Sequence, residues 1–225
     1  MTLKLYFHPL SSYCQKALIA FYEKDLPFEP HIVDLGDPAQ AAELKALWPI
    51  GKFPVLRDDA RNVTVAEATV IIEYLDLHYP GRVRLVPEDA DQAWQTRMRD
   101  RVFDLYVDEQ MQTMVGNRRR PDDSKDPLGV SFAKARLTSA LGMIDAEMAG
   151  RTNVSGTSTD NWTMGEAFTM ADCAAAPALF YANQVMPFGD SHPHAMRYFE
   201  RLTQRPSYAR VQREAEPYFH LFPKS

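Results

Sequence analysis

The sequence is poor in cysteine, has no excess of positive charge and contains no long apolar run. Two cysteines, Cys14 and Cys173, among 225 residues are too few for a disulfide framework. The 25 basic side chains are outnumbered by 30 acidic ones, which argues against the concentrated basic surface of a nucleic-acid-binding protein. No stretch approaches the roughly 18 apolar residues of a membrane span, and no signal-peptide pattern is present. These absences predict a cytoplasmic protein without membrane or nucleic-acid partners.

Composition is otherwise ordinary for a globular protein, with 45% apolar and 24% charged residues. A chain of 225 residues is long enough for one large domain or two smaller ones. The 6 histidines have no helical or zinc-type spacing with the cysteines, so no metal site is expected.

The N-terminal segment reads as a strand followed directly by a helix. Apolar residues alternate with Lys4 and Tyr6 from Leu3 to Phe7, as in a half-buried strand. Apolar residues then recur at helical spacing from about residue 12 to 24. Ser11 and Ser12 stand at this junction, where serine caps a helix and unpaired N–H groups attract anions. A thiolate-binding turn and a plain helix cap fit this pattern equally well.

The rest of the N-terminal third is predicted to complete one βαβ unit and to add a helix and a ββα unit. Its expected elements are a strand at 28–33, a helix at 38–47, a hairpin of strands at 53–56 and 63–65, and a helix opened by Glu67. The resulting order, βαβ, a helix, then ββα, is that of the thioredoxin-like fold. We expect it to be followed by an all-helical domain.

Pro54 stands at the entrance of a predicted strand, where proline cannot donate to the sheet. Within a thioredoxin-type order we expect the Phe53–Pro54 bond to be cis, turning the N–H and C=O of Phe53 outward for an extended, peptide-like ligand. The alternative is an ordinary trans proline that begins a strand.

The second half of the chain is predicted to be helical throughout. Its expected features are a connector at 82–90, a helix at 93–115, a break at 121–129, a helix at 131–149, a polar loop at 151–161, and helices at 169–185, 193–204 and 206–215. Thr169 and Asp172 have capping-box spacing, which we interpret as structural rather than catalytic. The predicted domains are therefore 1–81 and 91–225, joined by a linker at 82–90.

Three segments carry a family resemblance. The run Leu-Trp-Pro-Ile-Gly-Lys-Phe-Pro-Val-Leu at 47–56, the pair Glu67-Ala68, and Thr-Met-Ala-Asp at 169–172 occur in the order and spacing of the cytosolic glutathione transferases. The whole chain resembles this family, and its serine pair is similar to the turn of bacterial, serine-type, zeta/theta-like members. The resemblance implies a thioredoxin-like domain packed with a helical one, and a cytoplasmic homodimer acting in detoxification.

The resemblance also implies roles for particular residues. Ser11, or alternatively Ser12, would stabilise the glutathione thiolate. Glutathione itself would be bound by Lys52, the Phe53–Pro54 backbone, Glu67 and Ala68, although Ala68 replaces the serine usual in the family. Tyr106, Met111 and Met114 are candidates to line a second-substrate pocket, with core packing as the alternative.

Cys14 belongs to a stretch, 11–14, that is similar to the redox motif of glutaredoxins with its first cysteine replaced by serine. It lies on the apolar side of the predicted helix, so we expect it to be buried and weakly reactive. Dithiol redox chemistry is therefore not expected.

The sequence thus predicts an enzyme that adds the glutathione thiolate to a small hydrophobic electrophile, with glutathione as co-substrate and no metal. Two alternatives stay open: a glutathione-dependent isomerase or dehalogenase, and a non-catalytic binding protein that keeps the fold. Ala68 and Trp48, which depart from the family pattern, favour the second alternative.

Overall fold

A computed structural model describes residues 3–81, 83–150 and 162–223. The chain forms two compact units, one of Met1–Val86 with Ser207–Phe219 and the other of Pro87–Pro206 with His220–Ser225. The predicted polar loop at 151–161 lies outside the described residues. The domain boundaries taken from the sequence, 1–81 and 91–225, stay a prediction.

The first unit contains a four-stranded mixed sheet. Its strands are β1 (Leu3–Phe7), β2 (Glu29–Ile32), β3 (Val55–Asp58) and β4 (Val63–Ala66), arranged in the order β2-β1-β3-β4. The β1–β2 pair is parallel, and the β1–β3 and β3–β4 pairs are antiparallel. This mixed topology follows from the connections, because a helix joins β1 to β2 whereas a tight turn joins β3 to β4.

Three helices alternate with these strands, namely α1 (Ser12–Glu23), α2 (Pro38–Leu47) and α3 (Ala68–His78). Cys14, Ala17, Leu18 and Phe21, the apolar residues of α1 at helical spacing, are all at most 1% exposed, so this face packs into the core. Asp37 caps α2 by accepting from the backbone of the first turn, and proline follows it as the first helical residue. The element order confirms the predicted thioredoxin-like fold.

The remaining helices confirm the predicted all-helical second half. They are α4 (Ala90–Arg101), a π-helical segment (Val102–Asp108), α5 (Glu109–Arg118), a 3-10 turn (Asp122–Ser124), α6 (Pro127–Ala149), α7 (Met170–Val185), α8 (Pro193–Gln204), α9 (Pro206–Ala215) and a second 3-10 segment (Glu216–Leu221). The predicted break at 121–129 was too long, because Asp126 accepts from the N–H of Gly129 and begins α6 at Pro127. Within the described ranges, no helix is long and apolar enough to cross a membrane.

Asp172 organises the start of α7. Its carboxylate accepts from the Thr169 N–H at 2.8 Å, from the Thr169 hydroxyl at 3.0 Å, from the Thr163 N–H at 2.9 Å and from the Tyr198 hydroxyl at 2.6 Å. Burial raises the pKa of Asp172, and these hydrogen bonds oppose that shift. The capping box predicted from the sequence is confirmed.

Candidate active site

Three chain segments meet at one end of the sheet. Tyr6, near the end of β1, is opposite Val55 at the start of β3, and Val55 is opposite Ala66 at the end of β4. Neighbouring strands lie about 4.8 Å apart, so the three segments lie side by side. The predicted site residues adjoin these points: Ser11 and Ser12 follow β1, Lys52, Phe53 and Pro54 precede β3, and Glu67 and Ala68 follow β4.

Two helices begin next to this end of the sheet. Helix α1 starts at Ser12, five residues after β1, and α3 starts at Ala68, two residues after β4. The first N–H groups of each helix have no partner within the helix and carry partial positive charge. This end of the first unit is therefore suited to an anionic ligand.

Ser11 is the N-cap of α1, with φ −78° and ψ 124°. Its Oγ accepts from the Cys14 N–H at 3.4 Å, and its own N–H donates to the His8 carbonyl at 3.0 Å. A hydroxyl that accepts in a cap keeps its proton for donation to a ligand. Ser11 is partly buried, whereas Ser12, the first helical residue, is 3% exposed.

The Cys14 thiol is fully buried on the inner side of α1. Burial raises its pKa to about 12, against smaller opposing hydrogen bonds with the Ser11 side chain and the His8 backbone. Because the thiolate is the reactive form, full burial and the raised pKa both disfavour Cys14 as a redox nucleophile at neutral pH. The expectation that Cys14 is buried is confirmed, its weak reactivity stays a prediction, and Cys173 is likewise buried within α7.

The Phe53–Pro54 peptide bond is cis, as predicted. Pro54 is buried, and Lys52 just before it is exposed. Phe53 and Trp48 pack beside a buried apolar cluster that includes Val55. This packing accounts for an aromatic residue at position 48 without a ligand contact.

Glu67 has a backbone conformation that is rare for a residue with a side chain, with φ 69° and ψ 122°. It is exposed and its side chain makes no cap hydrogen bond to α3, whereas Ala68 behind it is 4% exposed. A positive φ costs of order 1–3 kcal/mol for such a residue, and strain of this kind concentrates at ligand-binding sites. The conformation therefore marks the β4–α3 junction as a candidate binding position.

Two buried polar residues of α1 support the site but were not predicted to do so from the sequence. The Gln15 amide donates to the Pro9 carbonyl at 2.9 Å, and the Lys16 ammonium donates to the Thr69 hydroxyl at 2.8 Å. Gln15 is 0% exposed and Lys16 is 1% exposed. Consecutive polar residues on the inner side of an apolar helix are the signal that could have revealed them.

Among the second-substrate candidates, Met111 is 2% and Met114 is 4% exposed, which supports the alternative of core packing for both. Tyr106 is 51% exposed. From the C-terminal segment, Tyr218 contacts the His8 ring edge-on at 5.0 Å between centroids.

A thioredoxin-like unit with a mixed four-stranded sheet, followed by a helical unit, is the class of two-domain fold to which this chain belongs. Comparison with protein families identifies the member of that class. Residues 5–83 match the family "Glutathione S-transferase, N-terminal domain", and residues 92–201 match "Glutathione S-transferase, C-terminal domain". The chain belongs to the glutathione transferase family and is a glutathione S-transferase.

Several relatives match over nearly the full chain. The glutathione S-transferase GstB of Escherichia coli K12 is 24% identical over 89% of this chain and 93% of its own. A glutathione transferase of Methylobacterium radiotolerans, solved in complex with glutathione sulfonate, is 26% identical over 94% of each chain, with a TM-score of 0.80. One from Methylobacillus flagellatus, solved with glutathione bound, is 24% identical over 93% of this chain and 98% of its own, with a TM-score of 0.81.

Proposed function

We propose that this protein is a serine-type glutathione transferase in which Ser11 donates a hydrogen bond to the glutathione thiolate, which then attacks a small hydrophobic electrophile. The observation that carries the proposal is the Ser11 cap: a partly buried hydroxyl at the start of α1, beside the β3 and β4 segments. Ser12 is the alternative donor.

The energetics support a thiolate at neutral pH. A hydrogen bond to an anion is worth about 1.5–3 kcal/mol, and a helix N-terminus adds roughly 0.3–1 kcal/mol. Since about 1.4 kcal/mol corresponds to one pKa unit, the two together would lower the pKa of the bound thiol by about one to three units. Such a shift brings a thiol with an ordinary pKa above neutrality into the physiological range.

The remaining candidate residues fit the rest of an extended glutathione molecule. The Phe53 backbone would pair with the cysteinyl unit, and the Glu67 carboxylate would accept from the γ-glutamyl ammonium. The Ala68 N–H at the start of α3 would bind the γ-glutamyl carboxylate, and the exposed Lys52 would approach the glycyl carboxylate. The glutathione sulfonate complex of the Methylobacterium radiotolerans relative supports this ligand.

The proposal is tested by turnover and by binding. We expect the protein to be retained on immobilised glutathione and to conjugate glutathione to a chloronitrobenzene acceptor. In this reaction the thiolate sulfur bonds to the ring carbon and chloride leaves, and the absorbance of the product measures the rate. Retention without conjugation of any acceptor would contradict the transferase reaction and favour a binding protein. Turnover of a cis-alkene or an organohalide alone would favour the isomerase or dehalogenase alternative.

Restoring a serine at position 68 should strengthen glutathione binding. Ala68 is buried at the first helical residue of α3, where a hydroxyl would add a donor to the γ-glutamyl carboxylate. We expect Ala68→Ser to lower the KM for glutathione about fivefold, the effect of one added hydrogen bond of about 1 kcal/mol. Steady-state kinetics with varied glutathione measure this.

The matched control is Ala42→Ser, an exposed alanine in the middle of α2, which should leave the KM for glutathione unchanged. An unchanged or higher KM in Ala68→Ser would show that the γ-glutamyl carboxylate binds elsewhere.

We also propose that the protein is a cytoplasmic homodimer that acts in detoxification. Exposed apolar side chains support association: Val70 and Leu77 on α3 are 51% and 72% exposed, and Trp94 and Met98 on α4 are 53% and 48% exposed. These pairs, seven and four residues apart, each line one helix face. Apolar faces of this kind are covered in many oligomers.

We therefore expect Trp94→Glu to shift the protein from dimer to monomer, measured by light scattering after size-exclusion chromatography. Leu128→Glu, at a 64% exposed position on α6, is the control and should leave the mass unchanged. A monomeric wild-type protein would contradict the dimer.

A further inference from the structure

His8 begins the turn that leads from β1 into α1. Its Nδ1 accepts from the Leu10 N–H at 3.2 Å, and its carbonyl accepts from the Ser11 N–H at 3.0 Å. His8 therefore accepts from two backbone N–H groups of the turn, from the first through its side chain and from the second through its main chain. The second of these is the N–H of the serine that we assign to the thiolate.

The side-chain contact depends on protonation. A neutral imidazole has one nitrogen that accepts and one that donates, whereas an imidazolium has only donors. The Leu10 contact therefore requires a neutral His8 with its proton on Nε2. Protonation turns the acceptor into a donor that faces the Leu10 N–H, so this contact is lost.

The environment of the ring favours the neutral form. The His8 ring stacks with Phe53 at 6.2 Å between centroids, and Tyr218 meets it edge-on at 5.0 Å. Burial lowers the pKa of His8, and the Asp34 carboxylate opposes this shift. The titratable groups that act on or contact the ring are the Asp34 carboxylate and the Tyr218 phenol.

The sign of the pH effect follows from this shift. Because folded His8 binds its proton less tightly than the unfolded chain does, stability rises as the pH rises from the lowered pKa towards 6.5. A bound glutathione thiolate would act in the opposite direction on the same ring, since a nearby anion favours the imidazolium. Protonation of His8, and with it the loss of the Leu10 contact, is therefore expected at mildly acidic pH.

We propose that His8 is a positioning residue of the transferase reaction, whose neutral imidazole holds the turn that presents the Ser11 hydroxyl and releases that turn on protonation. This inference rests on the proposed role of Ser11. It assigns to position 8 a pH-dependent function that does not require contact with the substrate.

Two variants separate this role from a merely structural one. His8→Ala removes the acceptor, and we expect kcat to fall about fivefold at pH 7.5, the effect of one lost hydrogen bond. The pKa of the bound thiol, read from its ultraviolet absorbance, should rise in parallel while the KM for glutathione changes little. His8→Asn should recover most of this loss, because an asparagine oxygen accepts from the N–H two residues on and does not titrate.

The pH profile then distinguishes wild type from His8→Asn. At acid pH, kcat/KM of wild type should fall about fivefold further than protonation of the bound thiol accounts for. In His8→Asn, kcat/KM should fall only as far as protonation of the bound thiol accounts for. The control His78→Asn alters a histidine in the last turn of α3 and should reproduce the wild-type profile.

The Leu10 amide provides a readout without substrate. Its nuclear magnetic resonance shift should titrate with the His8 ring in wild type and in His78→Asn, but not in His8→Asn. A Leu10 amide that does not titrate, or a His8→Asn variant as impaired as His8→Ala, would overturn the inference. If the amide titrates but no conjugation occurs, the turn behaves as inferred and the proposed transferase mechanism fails instead.

Discussion

Replacing Asp172 with alanine is expected to lower the free energy of unfolding by about 4 kcal/mol. The change leaves the Thr163 and Thr169 N–H groups and the Tyr198 hydroxyl without their buried acceptor. Each buried donor left without a partner costs about 1–3 kcal/mol, and loss of a helix cap contributes about 1 kcal/mol. The measurement is urea unfolding followed by circular dichroism, supported by a melting temperature about 10 °C lower.

Asp145→Ala is the matched control, because Asp145 also accepts from two N–H groups at a helix start. Those bonds, from His194 and Ala195 in the first turn of α8, are partly exposed to water. We expect this variant to lose only about 1 kcal/mol. Asp172→Ala should retain the wild-type kcat per folded molecule, and a large loss of kcat without loss of stability would instead indicate a catalytic role for Asp172.

Much of the fold could be predicted because residues that begin or stop a helix or strand stand in the sequence where these elements begin and end. Helix α2 was predicted residue for residue, since proline at its first turn and the Trp48-Pro49 stop define both ends. The start of α6 was missed, because the Asp126 cap lies in an acidic, lysine-containing stretch that resembles a loop. The π-helical segment at Val102–Asp108 leaves no pattern of its own, since it differs from an α-helix only in its hydrogen-bond partners.

The residues of the candidate site, like the elements of the fold, could be predicted only in part from the sequence. Family motifs name Ser11, Phe53 and Glu67, and the strand register brings their segments to one end of the sheet. The supporting contacts were not predictable, because Lys16 and Thr69 are 53 residues apart in the sequence and meet only once the fold is formed. The roles assigned to the motif residues stay predictions until kinetic measurements test them.

Replacing Ser11 with alanine is expected to lower kcat/KM about 10- to 100-fold near neutral pH, since a hydrogen bond to an anion is worth about 1.5–3 kcal/mol. The same change should raise the pKa of the bound glutathione thiol by about one to two units. Stability should fall little, because the cap bond from Cys14 N–H to Ser11 Oγ is long at 3.4 Å. The measurements are conjugation kinetics and titration of the thiolate absorbance in the glutathione complex.

Three further variants distinguish the role of the Ser11 hydroxyl as a donor to the thiolate from its role as the cap of α1. Ser11→Gly removes the hydroxyl but keeps a residue that is tolerated at an N-cap, so it should behave like Ser11→Ala. Ser11→Thr keeps the hydroxyl in an extended backbone that suits a β-branched residue, so it should retain most of the activity. Ser12→Ala, at a position 3% exposed inside the first turn, should have a smaller effect than Ser11→Ala. The reverse order would assign the thiolate to Ser12, and an unchanged thiol pKa in both would exclude the serine mechanism.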